Sequence, residues 1–347
     1  MSSDKGNASN KSFGQQLSAR ARSAMKSQGA GVIVFLLLII VFFSIFAPHF
    51  MSMQNVKNIL FSAAVLAIAA VGESLVLLTG NYDLSVGSIV GIVAFISYDV
   101  CSKAPGLGYI VVIFGLVFGI LLGAFNGFLV GYLKIPSMVA TLGTLSVYRG
   151  LDSLYAGSRE VTKNQIPHWV NVFAPSTFLG IPSYVWICLI LCVVASFFLF
   201  YRPSGRMLYA YGSNPKAAES FGLKSPRIIF GAYTLSGLLA GFVGILMGAQ
   251  VGTINSVMGN GYEMEVIAAA VIGGVSLWGG VGTPAGAMLG ALVYACLDNG
   301  LILIGVNEYF RLIFQGVAVI AAVGVDAFIR MQSARFSTRH AILEVQA

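Results

Sequence analysis

Two carboxylates stand where a lipid-spanning segment should be apolar. Glu73 lies inside a smooth apolar run, and Asp83 follows ten residues later in TGNYDLSVGS, Thr79 to Ser88, whose glycines interrupt that run and free backbone groups. A carboxylate costs about 2.5–3.5 kcal/mol at the centre of a spanning helix, so each needs a partner or a water-filled path. Broken helices at membrane depth are tolerated only in such places. Asp83 has two compatible readings. It can cap the following helix by accepting the amide protons of Ser85 and Val86, with Ser85 and Ser88 assisting, or it can face a translocation path together with Asn81 and Ser85. Glu73 is either protonated and hydrogen-bonded to a neighbouring helix, or it lines that path and meets solute hydroxyls. A relay of ions through Glu73 and Asp83 would instead suit an ion-coupled secondary transporter that works without a partner ATPase.

Soluble-enzyme chemistry is missing. His49, His168 and His340 are far apart, and no H-E-x-x-H, G-x-S-x-G or clustered Cys/His set occurs. Cys101, Cys188, Cys192 and Cys296 include no C-x-x-C pair and read as packed core thiols. No catalytic residue, metal site or cofactor is expected. There is no Gly-Lys dipeptide and hence no Walker A loop, so ATP-driven transport would require another polypeptide to hydrolyse the nucleotide.

The elements that must hold these residues are membrane helices. The chain is 57% hydrophobic and 10% charged over 347 residues, against roughly 25% charged in a soluble domain. Apolar runs read as about ten spans, at 31–47, 56–79, 84–103, 107–133, 137–155, 183–201, 227–250, 263–280, 284–305 and 309–328. The fold expected is an all-α polytopic membrane protein. Residues 1–29 and 329–347 read as cytoplasmic tails around a transmembrane domain at 30–328. No small-residue cleavage site follows the first run, which is read as a retained helix. Of the 20 basic residues, five lie in residues 1–29, five in the loop 201–227 and three after Ile329. With the N-terminus inside, ten spans place all of these and Lys134 in the cytoplasm, as the positive-inside rule asks. The net charge of +7 is therefore a topology signal and not one for nucleic acid.

Gly115, Gly119, Gly123, Gly127 and Gly131 draw a smooth stripe down the fourth span. It serves either close packing within the subunit or a subunit interface. A faint echo links Gly80-Asn81-Tyr82-Asp83-Leu84 to Gly261-Tyr262-Glu263-Met264, and suggests that spans 2–5 recur, inverted, as spans 7–10. Chance similarity between Gly/Ala/Leu-rich helices is the competing reading. Arg149 either snorkels or pairs with Asp152, and Glu308 with Arg311 at i, i+3 forms a candidate pair. In the polar loop 201–227, Asn214 is a good N-cap, Pro215 fits the first helical position, and Gly222 with Pro226 supplies the stop, so a helix of about two turns is expected at 215–221. A helix that short needs something to hold it.

The blocks LLTGNYDLSVGSIVG (77–91), NGFLVGYLKIPSMVATLGTLSVYRG (126–150), GRMLYAYGSNPKAAESFGLKSP (205–226), GYEMEVIAAAVIGGVSLWGGVGTPAGAMLGA (261–291) and DNGLILIGV (298–306) resemble the sugar-type ABC transporter permeases. That family imports ribose, xylose, rhamnose, galactose and autoinducer-2. The resemblance implies a ten-helix bacterial inner-membrane subunit paired with a second permease subunit, as homodimer or heterodimer. It further implies supply by an extracytoplasmic sugar-binding protein and drive by a cytoplasmic ABC ATPase. On this resemblance the ATPase coupling element corresponds to Ala217, Ala218, Glu219, Phe221 and Gly222, and the broken-helix motif to Asp83 through Gly87. The chain departs from it at Asn81 and Tyr82, where a second glycine and an aliphatic residue are common, and at Glu73, where an uncharged residue is common. The outward segment Ala156 to Pro182 then offers Arg159, Lys163 and Trp169 as a docking surface for the binding protein.

Overall fold

A computed structural model describes residues 28–104, 108, 110–166, 168–169, 176–321, 323–324 and 327. The two predicted tails lie outside these residues, apart from the first turn of α1. So do the end of the last span and the side chain of Lys163. Helices dominate: α1 (Gln28–Phe46), α2 (Met53–Leu77), α3 (Val86–Lys103), α4 (Ile110–Gly131), α5 (Ser137–Ala156), α6 (Ser183–Tyr201), α7 (Pro203–Ser213), α8 (Pro215–Ser220), α9 (Ser225–Gln250), α10 (Tyr262–Ile272), α11 (Pro284–Leu303) and α12, helical over 308–321. Strands are two-residue pairs: β1 (Val161–Thr162) pairs antiparallel with β4 (Thr253–Ile254), and β2 (Thr177–Phe178) with β3 (Ile181–Pro182).

Six of these helices, α2, α3, α4, α6, α9 and α11, are long and apolar enough to cross a membrane. The protein is an all-α polytopic membrane protein. α2 and α3 are buried on nearly every face over most of their length and form its centre, with Ile68, Ala70, Val76, Ile89, Val93 and Phe95 almost wholly buried. α4 and α6 lie outside them and turn Ile113, Leu121, Ile190 and Val193 outward, as lipid-facing surfaces do. α1 rests on α11; the Phe43 and Phe50 rings lie 5.6 Å apart in a tilted pair, and the Phe43 ring fills the space beside Gly300.

The glycine stripe of α4 lies along α9. A β-carbon at Gly119 would stand 2.4 Å from the Gly237 carbonyl oxygen, and one at Gly123 would stand 2.4 Å from that of Tyr233. Both obstacles are backbone, so the stripe lets two helices touch main chain to main chain within the one subunit.

The eighth apolar run is not a single span. α10 ends at Ile272 after 11 residues, roughly 16 Å, about half the hydrocarbon thickness, and 273–283 is irregular. Glycines make this break: Gly274, Gly279, Gly280 and Gly282 all have positive φ, a region that β-carbons disfavour. The bundle has two distinct ends. One gathers the 78–85 connector, the 273–283 break and α7, while the other gathers β1 and β4, from which the approach to α10 runs back along α3 to Gly91 and Gly87.

Candidate functional site

The break between α2 and α3 is organised by buried hydrogen bonds. Gly80 turns the chain with φ 76°, and Thr79 Oγ1 donates to Val76 O at 2.7 Å while accepting from Asn81 Nδ2 at 2.9 Å. The Asp83 amide then donates to Glu73 Oε1 at 3.1 Å. Asp83 Oδ1 accepts from the Ser85 amide at 3.0 Å and from Ser85 Oγ at 2.6 Å. Of the capping role expected for Asp83, the bond to Ser85 is present, and no side chain bonds the first turn of α3 from its N-cap. The network runs on into residues that sequence reasoning did not single out. Asn126 Nδ2 on α4 donates to Ser85 Oγ at 2.6 Å, and the Tyr148 hydroxyl on α5 donates to Leu122 O at 3.1 Å and reaches Asn126 Oδ1 at 3.4 Å. Glu73, Asp83, Ser85 and Asn126 are wholly buried, whereas Asn81 is partly exposed. Glu73 Oε2 and Asp83 Oδ2 have no hydrogen-bond partner.

The second break meets the first. The Gly280 amide donates to Leu78 O at 2.9 Å, and the Tyr82 hydroxyl donates to Leu277 O at 3.0 Å. From α9 the Tyr233 hydroxyl donates to Tyr82 O at 2.6 Å. α7 closes over this junction, with the Tyr209 hydroxyl donating to Gly282 O at 2.7 Å. At Gly212 a β-carbon would fall 1.8 Å from Leu78 O and 2.7 Å from the Gly280 nitrogen. One short helix thus touches both breaks at once.

α8 continues directly from α7. Its N-cap is Asn214, whose side chain accepts from the Ala217 amide at 3.0 Å, and Pro215 occupies the first turn. Ala218 is the residue of α8 that faces inward, with Ala217 half-buried. Glu219 Oε1 accepts from Ser225 Oγ at 2.6 Å and ties α8 to the start of α9. Gly222, with φ 81°, makes the left-handed stop, and the Phe221 ring beside it is 89% exposed. Next to α8 a cavity of about 400 Å³ is bordered by Tyr132, Lys134, Glu219, Lys224 and Arg227. α7 itself is the element that sequence reasoning missed. Pro203 at its first turn and the buried Gly205, Leu208 and Gly212 were the signals available.

At the opposite end Arg159 is held within the chain. Its guanidinium pairs with Asp99 at 2.9 Å, lies 5.1 Å from the Tyr155 ring centroid and donates to the Tyr155 carbonyl. Lys103 at 2.7 Å and the Tyr155 hydroxyl at 2.7 Å share the same carboxylate. Trp169 packs half-buried against the main core, and Lys163 begins a single 3-10 turn. Arg149 neither snorkels nor hydrogen-bonds Asp152. It donates to Met258 O at 2.6 Å and to Gly259 O, pinning the segment that leads into α10. Arg311 pairs with Asp298 at 3.1 Å and not with Glu308, because α11 brings that carboxylate alongside. Among the described residues, no three His, Cys, Asp or Glu side chains are grouped so as to hold a metal ion.

The family model described as branched-chain amino acid transport system / permease component matches residues 55–323, from the first turn of α2 to beyond the described turns of α12. The chain belongs to this permease family. Among its permease relatives, the Autoinducer 2 import system permease protein LsrC of Salmonella typhi is 33% identical over 301 residues, covering 87% of this chain and 86% of that protein. LsrC of Escherichia coli (strain K12 / DH10B) is 35% identical, covering 81% of this chain and 82% of its own length. A protein of Sinorhizobium fredii named "Probable ABC transporter permease protein y4mJ" is 36% identical, covering 86% and 88%. No solved structure matches the chain. Transport and not catalysis is what this permease family performs.

Proposed function

We propose that the chain is the membrane subunit of an ABC importer, carrying a monosaccharide or similar small polyol-like solute delivered by an extracytoplasmic binding protein. It works in the bacterial inner membrane beside a second permease subunit and a cytoplasmic ATPase. The observation that carries this reading is mechanical. A short helix pair ending in a bare aromatic, Phe221, is hydrogen-bonded and closely packed onto both helix breaks. A push on α8 is therefore felt at the breaks through Tyr209 and Gly212, and through Gly280 at Leu78. The names of the relatives, an autoinducer-2 import permease and an ABC transporter permease, agree with this class. The family description names branched-chain amino acids, so the solute is argued from the relatives and not from the family.

In the topology we propose, ten spans leave both termini and the α7–α8 unit in the cytoplasm, with α10 completing its crossing through the irregular 273–283. Contacts that exchange partners support an inverted repeat of spans 2–5 in spans 7–10: α4 packs along α9 as α11 packs along α2, and α2 meets α9 between them. Solute passes between two permease subunits as the ATPase closes on α8, with the Glu73–Asp83–Ser85 network and Asn81 at the break that moves. The binding protein docks around Arg159, Lys163 and Trp169. In the test, Phe221→Asp and Gly222→Asp are each compared with wild type for retention of the ATPase during purification and for uptake. Loss of both is expected, and an ATPase that still co-purifies with uptake unchanged overturns the coupling assignment.

A further inference from the structure

A second cavity, about 330 Å³, opens inside the subunit. It lies between the middle of α2, the end of α9, the start of α10 and the second half of α11. Its walls include the aromatic rings of Phe61, Tyr262 and Tyr294, and its polar groups include Asn260, Glu265 and Asp298. The volume falls in the lower part of the range of about 300–1,000 Å³ usual for small-molecule sites.

The polar groups divide into those already occupied and those left open. Asp298 accepts from Arg311 at 3.1 Å and from Gln315 at 3.3 Å. Asn299, on the same rim, exchanges reciprocal amide bonds of 2.8 and 3.0 Å with Asn55. These pairs stiffen the α2–α11 wall. Across from it, Glu265 makes no hydrogen bond or ion pair among the described residues, and the hydroxyl of Tyr262 has no partner although that residue is only 8% exposed. Tyr262 and Glu265 stand at i, i+3 in the first turn of α10, with only the N-cap Gly261 between Asn260 and Tyr262. Arg149 clamps the carbonyls of Met258 and Gly259 immediately before them, so the open groups are presented on a fixed segment.

Flat aromatic faces beside a free carboxylate, a free amide and a free phenol suit a molecule that is apolar on its faces and rich in hydroxyls at its edges. Two carboxyl groups, Glu265 and Asp298, face a single guanidinium, that of Arg311, so the cavity has no surplus positive charge with which to hold a phosphate or carboxylate. We propose that this cavity, within a single subunit, binds a neutral polyhydroxylated solute, with Tyr262 and Glu265 as the hydroxyl-recognising pair. The proposal rests on the importer reading above and adds to it a site, two residues and a solute charge.

The test uses the full chain in lipid nanodiscs and saturation-transfer NMR with D-ribose, D-xylose and L-rhamnose as probes, competed by leucine and by ribose 5-phosphate. At least one neutral sugar should bind and resist both competitors. Glu265→Gln and Tyr262→Phe should each weaken it several-fold, as expected when one hydrogen bond is lost or impaired. Gel filtration and thermal melting identify any variant that fails to fold, and the Tyr262→Phe change, which removes one oxygen, keeps the measurement decisive. Binding of no neutral sugar, equal binding to wild type and both variants, or displacement by leucine overturns the site. If the chain still retains its ATPase and supports uptake with unchanged concentration dependence in Glu265→Gln, the site falls and the importer reading stands. Loss of the ATPase from wild type would remove the importer reading instead.

Discussion

Asp83 is held from two directions: its amide leans on Glu73, and its carboxylate ties down the amide and hydroxyl of Ser85. Removing the carboxylate strands a buried amide, which costs about 1–3 kcal/mol. Asp83→Ala is therefore expected to lower the melting temperature in detergent by several degrees, while Asp83→Asn, which keeps an acceptor oxygen, should recover most of the loss. Glu73→Leu separates a positioning role from a role on the path. A Glu73 that only steadies the Asp83 amide loses stability in this variant and keeps the concentration dependence of uptake, whereas a path-lining Glu73 changes it. Both carboxylates were conspicuous in the sequence because charge in an apolar run stands out by itself. Asn126 and Tyr148 were not, since a buried amide on a glycine-rich helix and a tyrosine near a helix end acquire their roles only when α4 and α5 are brought against α3.

Among the helices, local signals were legible and distant ones were not. Asn214, Pro215 and Gly222 predicted α8 nearly to the residue, because caps and left-handed stops are settled by neighbours in the chain. The stripe on α4 was visible as a period of four, yet the helix it meets could not be read from α4 alone. α10 was drawn too long because apolar residues continue through Val275, Leu277 and Trp278, and hydropathy does not register the glycines that end the helix. α7 was missed because it is a polar-faced helix in a loop read by its charge. The stripe also yields a paired test. Gly123→Ala puts a methyl group against the Tyr233 carbonyl and the Gly237 backbone and should destabilise the fold clearly, while Gly143→Ala on α5 has open space and should be neutral or gain up to about 1 kcal/mol from helix propensity. Thermal melting of the two variants side by side checks this.

At the scale of the whole molecule, the two ends of the bundle are built differently. One end concentrates hydrogen bonds among both breaks, α7 and α9, and the other holds the Asp99–Arg159–Tyr155 cluster. A permease arranged in this way should be inert by itself. Reconstituted alone in liposomes, it is expected to show no uptake under a proton or sodium gradient, and uptake should appear only with ATPase, ATP and loaded binding protein. Uptake by the chain alone under an ion gradient would make Glu73 and Asp83 an ion relay and replace the importer reading.

Phe221 also bears on how the chain is made. An aromatic ring left 89% exposed at the end of a two-turn helix is an adhesive spot on every newly synthesised copy until another surface covers it. On the coupling proposed above, copies made in excess of the ATPase carry that spot longest, so chaperones and proteases meet them first. Matched output of the two polypeptides, and not merely their presence in the same cell, is what that coupling would demand.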